Sequence, residues 1–228
     1  MARVSGGVIG YFQGKLGLLS ARKVNGRTIM SARPAGYKES TTPKHAEVKQ
    51  QFAVTVAFAS AISNLPALYE IWNLKKKPGL SVNNSIFKSN YDSSSPQAPT
   101  LNNIIVPGGY KSPVTSVVVA ADKLTGSLLA MNKVAVISNT DVNLSINAII
   151  SLSDPKEEGD PFYKVISVSK EIAGFEFTQA YNFEIDFDVV EADEISKYNQ
   201  KLVFISVATK SADNAVNQYT RSQAIQSV

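Results

Sequence analysis

Hydrophobic positions change their rhythm along this chain. Val48, Phe52, Val56, Ala59 and Ile62 recur at spacings of four, four, three and three, which places them on one face of a helix. Thr41-Thr42-Pro43 supplies a threonine cap and a proline at the first helical position, so a helix is predicted from there to about Ser63. Ala53, Val54, Ala57 and Phe58 fill much of the opposite side. The second half is therefore expected to be buried nearly all round, with cover from its own domain or another subunit. Pro66 opens a second helix through Leu74, closed by Lys75-Lys76-Lys77-Pro78-Gly79 with cations at the negative helix end. One or two further helical turns are expected over 81–90.

After Thr100 the pattern becomes alternating and β-branched. Strands are predicted over 101–106, 114–121, 133–138, 142–152, 163–168, 181–190 and 202–208, separated by Pro-Gly-Gly, Asn-Thr-Asp and Asp-Pro turn chemistry. Ahead of the helices, Gly6, Gly7, Gly10, Gly14 and Gly17 disfavour helix. Two strands, 16–24 and 27–33, flank Asn25-Gly26, a pair suited to a type I′ hairpin turn. The predicted fold is mainly β with a helical segment (α+β). It comprises a hairpin arm over 1–45, two to three helices over 46–91 and a polar linker over 92–100. An immunoglobulin-like or Greek-key β-sandwich over 101–210 and a polar tail over 211–228 follow.

Charge sharpens this division. The net charge is +4, but residues 1–45 carry +7 and the remainder −3, and four of the five arginines lie in the first segment. Such asymmetry between arm and body suggests contact with something anionic, either nucleic acid or an acidic protein face. Arg22, Lys23, Arg27 and Arg33 on the hairpin are the candidate contacts. Within 183–189 apolar and acidic residues alternate strictly, so Glu184, Asp186 and Asp188 are predicted to line one strand face. This face is either solvated or a docking strip for a basic arm from a neighbouring copy. No role is assigned to the acidic loop 154–160.

Most catalytic chemistries lack their residues. With no cysteine and one histidine, His45, thiolate zinc sites, cysteine nucleophiles and multi-histidine metal sites are excluded, and no Gly-x-Ser-x-Gly elbow is present. Gly10 to Leu16 resembles a phosphate-binding loop, but its spacing is one residue short and Leu16 replaces the magnesium-binding hydroxyl. Three carboxylates on one strand do not make the cleft a glycosidase needs, and no EF-hand spacing is present. No catalytic residue, cofactor or metal is predicted. The opening lacks the apolar core and cleavage site of a secretory signal, and no apolar run reaches bilayer length; the chain is expected inside the cell that makes it, without a membrane partner.

Gly14-Lys15-Leu16-Gly17, the Asn25-Gly26-Arg27 hairpin, Arg33-Pro34 and Thr42-Pro43-Lys44 ahead of Phe52 together resemble the opening of a family of bacterial and bacteriophage proteins. Members share a Gly-Lys-x-Gly, Gly-Arg or Gly-Lys hairpin, Arg-x-x-Pro and a Thr-Pro-Lys-type helix start before an immunoglobulin-like β region. The resemblance covers the first third of the chain; the acidic strand departs from it. It implies no enzyme activity. It implies a virion component of a tailed phage, assembled in the host cytoplasm: a head–tail connector ring, a tail component or a capsid decoration protein. Its partners would be copies of itself and other virion structural proteins. The alternatives are a cytoplasmic nucleic-acid-binding module of low specificity and, ranked last, a carbohydrate-active enzyme.

Overall fold

The computed structural model describes residues 3–5, 11–24, 26–32, 36 and 42–227. The chain divides into two compact units, Met1–His45 and Ala46–Val228. In the first, β1 (Arg3–Ser5), β2 (Tyr11–Leu16), β3 (Leu19–Val24) and β4 (Arg27–Ala32) form one antiparallel sheet in sequence order. Val24 pairs with Arg27, leaving the expected two-residue turn, in which Gly26 takes the positive φ of 80° that a side chain would resist. The strand expected over 16–24 is interrupted. Leu16 pairs with Leu19 around a second two-residue turn at Gly17 and Leu18, so the arm is a four-stranded meander rather than a lone hairpin.

Helix α1 (Pro43–Ser63) leads into the second unit, followed by α2 (Pro66–Lys75) and α3 (Val82–Asn90). Then come β5 (Val114–Val119), β6 (Lys123–Leu128), β7 (Asn143–Pro155), β8 (Tyr163–Ile172), β9 (Tyr181–Asp186), α4 (Val189–Ser196), β10 (Tyr198–Lys210), β11 (Val216–Tyr219) and β12 (Gln223–Ser227). Strands β5-β6-β9 make one sheet; β8-β7-β10 make the other, with β11 and β12 both on the far edge of β10. Pairing is antiparallel throughout. Between the non-sequential neighbours β6 and β9, and β7 and β10, the chain crosses between the sheets, as a sandwich requires.

Side-chain alternation along β7 explains the layering. Leu144, Ile146, Ala148, Ile150 and Leu152 share a core with Val117, Leu124, Leu128, Phe183 and Ile185 of the smaller sheet. Ile149, pointing the other way, joins Phe204 in a second core with Phe58, Ile62, Leu68, Ile71 and Trp72 of the helices. The large sheet is thus buried on both faces, which is why β7 reads as a nearly continuous buried run.

This arrangement corrects several expectations. The helices and the β region, which the sequence leaves open as one domain or two, lie in one compact unit with a shared core. The 92–100 linker is a packed turn: Ser94 bridges to Pro99, and buried Asn103 donates to the Asn90 carbonyl and Ser94 Oγ. Residues 101–106 form no strand. Ile105 and Val106 are buried there, but side chains satisfy the backbone, with Ile104 N–H on Asn90 Oδ1 at 2.7 Å and Ile105 N–H on Ser222 Oγ at 3.1 Å. Residues 133–138 are likewise irregular after a 3-10 turn at Met131–Lys133. The polar tail supplies β11 and β12. The first half of α1 is exposed, including Val48 and Phe52; burial begins at Val54, although Val56 is again exposed. Among the described residues no single helix is long and apolar enough to cross a membrane; α1 and α2 would pass only as a pair bent by 105°.

Candidate functional site

The register of the arm sheet decides what its cations can do together. Residues paired across antiparallel strands share a face. Lys15 pairs with Ser20, Ser20 with Ser31, Arg22 with Ile29 and Val24 with Arg27. Lys15, Arg22 and Arg27 therefore lie on one face, with Ile29 between the two arginines in register. Lys23 is on the opposite face with Leu19, Ala21 and Met30, and Arg33 lies outside the described residues. Successive cations are diagonal neighbours about 7–8 Å apart. In water each such pair repels by roughly 0.5 kcal/mol before screening. Among the described residues no carboxylate reaches Lys15, Arg22 or Arg27, so an anionic partner would relieve that repulsion. Lys15 was not among the candidate contacts from sequence; its signal was Gly17, the turn residue that folds β2 back against β3.

β4 pairs only with β3 among the described residues, leaving one line of backbone N–H and C=O groups open to another strand. Ile29 and Met30 are 43% and 56% exposed on this strand, so both faces at the edge offer apolar contact.

The acidic strand is less uniform than its sequence. On β9, Phe183 and Ile185 point into the core while Glu184 and Asp186 are exposed, as the alternation predicts. Asp188 leaves the strand. It caps α4, accepting from Glu191 N–H at 2.7 Å while Glu191 accepts from Asp188 N–H at 3.0 Å. Glu184 is paired with Lys123 at 3.0 Å; this hydrogen bond, and next the carboxylate's charge, hold the Lys123 ammonium above its ordinary value. Lys170 donates to the Glu184 carbonyl at 2.8 Å. Of the three carboxylates, Asp186 alone has no such assignment among the described residues.

Over the outer face of the small sheet lies an open groove of ≈ 490 Å³, lined by Ser116, Thr125, Ser127, Asn182, Glu184 and Lys170. It is polar and shallow. A second polar centre is buried: Asp141 accepts from Ser138 N–H, Thr209 Oγ1, Asn217 Nδ2 and Gln218 Nε2 at 2.8–3.1 Å. These donors tie the loop before β7 to β10 and β11. Tyr110 is pushed well above its ordinary range by burial first and the Asp141 charge second, and among the described residues its hydroxyl has no hydrogen-bond partner. With every carboxylate lone pair engaged, this is a structural clamp.

Residues 11–16, which end the glycine segment tested for phosphate binding, form strand β2 rather than a loop entering a helix. His45 sits in the first turn of α1, its N–H on the Thr42 carbonyl at 3.0 Å. Among the described residues no three His, Asp or Glu side chains converge as a metal site. No protein-family model, curated protein or solved structure matches the chain.

Proposed function

We propose that this protein is a non-enzymatic assembly subunit that joins neighbouring copies through its basic arm, as a structural component of a tailed-phage particle: a connector ring, tail component or capsid decoration. The observation that carries the assembly role is the arm itself. Lys15, Arg22 and Arg27 share one sheet face, Ile29 lies between the arginines, and the adjoining strand edge is open. Such a face favours an acidic protein surface over a nucleic-acid groove. Exposed apolar side chains among the cations gain by burial against protein. An arm that forms its own compact unit suits head-to-tail contacts, which close into rings or extend as lattices. The phage setting rests on the resemblance in the first third of the chain.

The virion placement is tested by fractionating particles from cells producing the protein on a density gradient and probing with antibody to the chain. Co-banding with particles is expected. Recovery only in the particle-free fraction overturns the placement.

A further inference from the structure

The loop between β7 and β8 holds a surface to which neither the acidic strand nor the buried clamp contributes. Glu157 and Glu158 are exposed and Asp160 is half-buried, and they line an open groove of ≈ 570 Å³ that ends on Phe162. Phe162 is 72% exposed. On its other side it lines a second groove of ≈ 260 Å³ with Ala53, Pro96, Gln97 and Tyr163. A large aromatic thus stands between an acidic trough and a more apolar one.

The lysines nearby are committed elsewhere. Lys156 donates to the Ser196 carbonyl at 2.6 Å. Lys164 pairs with Glu194 at 3.2 Å, and Lys197 with Asp193 at 2.7 Å. Among the described residues no cation reaches the carboxylates of Glu157, Glu158 or Asp160. Of the three, Asp160 reaches Tyr198, whose hydroxyl is held above its ordinary value by burial first, then by Glu194 and Asp160, with Lys197 opposing. An exposed phenylalanine flanked by three carboxylates suits a docking surface for a cationic, partly apolar segment.

We infer that this loop and Phe162 receive the arm of a second copy, Glu157, Glu158 and Asp160 facing Lys15, Arg22 and Arg27 while Phe162 packs against Ile29. This presupposes the assembly role proposed for the arm, and it moves the acceptor from the Glu184 strand, where Lys123 and the α4 cap occupy two of three carboxylates. Charge and apolar area match on the two sides: a +7 arm carrying Ile29 meets an acidic trough flanked by an aromatic. The contact is heterologous, since arm and loop lie on different parts of the chain.

The test uses full-length chains in two charge-reversed forms, one with Arg22→Glu and Arg27→Glu, the other with Glu157→Lys, Glu158→Lys and Asp160→Lys. Each alone should lose self-association by at least about tenfold. Mixed, the wild-type arm of one form meets the wild-type loop of the other and the reversed arm meets the reversed loop, so assemblies in which the two forms alternate should grow. A chain carrying both sets should assemble again. Phe162→Ser, on an exposed side chain that leaves the fold intact, should weaken association roughly 30-fold. Loop-reversed protein that assembles like wild type, or a mixture that stays monomeric, overturns the acceptor assignment while leaving the arm's role standing. A wild-type chain that is monomeric at every concentration overturns both.

Discussion

Replacing Phe204 with Ala tests whether helices and sandwich fold as one unit. Phe204 is fully buried on the helix-facing side of β10, and its ring meets Phe58 of α1 edge-on with centroids 5.0 Å apart. Losing a buried phenylalanine leaves a cavity and costs about 3–5 kcal/mol, a range that already contains the aromatic pair's contribution of roughly 0.5–1.5 kcal/mol. For a unit of this size each kcal/mol moves the midpoint by about 2–4 °C, so Tm should fall by roughly 6–20 °C. Two probes separate the layers. Trp72, the only tryptophan, is buried in α2 and donates to the Ile105 carbonyl at 2.8 Å, so its fluorescence follows the helical layer. Far-UV circular dichroism at about 218 nm follows the sheets. Both signals should move together in a single transition. A variant in which the Trp72 signal melts early while the strand signal keeps its wild-type midpoint would refute the shared-core account.

Other residues give narrower tests. Tyr110→Phe should leave Tm at pH 7 unchanged or raised, because the hydroxyl is buried without a partner. Its pKa is raised in the folded state, so the folded chain holds that proton more tightly, and the associated stability is full below about pH 10 and falls as pH rises beyond it. The variant should show a shallower alkaline loss in a Tm-against-pH series; an unchanged slope would count against the burial of that hydroxyl. Asp188→Ala should cost about 0.5–2 kcal/mol in denaturant melts through loss of the α4 capping box, whereas Asp186→Ala should cost almost nothing; equal effects would contradict the different placements of the two carboxylates. Gly109→Ala should destabilise by roughly 1–3 kcal/mol or more, since its Cβ would fall 2.5 Å from the Thr220 carbonyl carbon at a φ of 107°; a neutral melt would mean that the Thr220 backbone can give way.

What the chain reveals to a reader of its sequence depends on whether the deciding partner is local. Asn25-Gly26, Pro43 and Pro66 act within a few residues, and the turn and helix starts they predict are present. β6 was hidden because Gly126 interrupts its pattern; Phe183 of β9 lies against that glycine, a reason 57 positions away. β11 and β12 read as polar because they are short edge strands with few fully buried positions. Residues 101–106 read as a strand because Ile105 and Val106 are buried, yet Asn90 and Ser222 supply their hydrogen bonds. At the candidate site, the Asp188-x-x-Glu191 capping signature is in plain view, overlaid by an alternation that runs on to Val189 although the strand ends at Asp186. The grouping of Lys15 with Arg22 and Arg27 needed the register of three strands, which no single hairpin signal contains.

The most direct test of the central claim is the mass of the full-length protein by sedimentation equilibrium across a concentration series, at low and high salt, beside the Arg22→Glu/Arg27→Glu variant. The account predicts that the wild-type chain associates beyond its 24.6 kDa monomer, less so as salt screens the arm, and that the variant associates at least about tenfold more weakly. A wild-type protein that remains a monomer throughout, or a variant that associates as strongly as wild type, would contradict it.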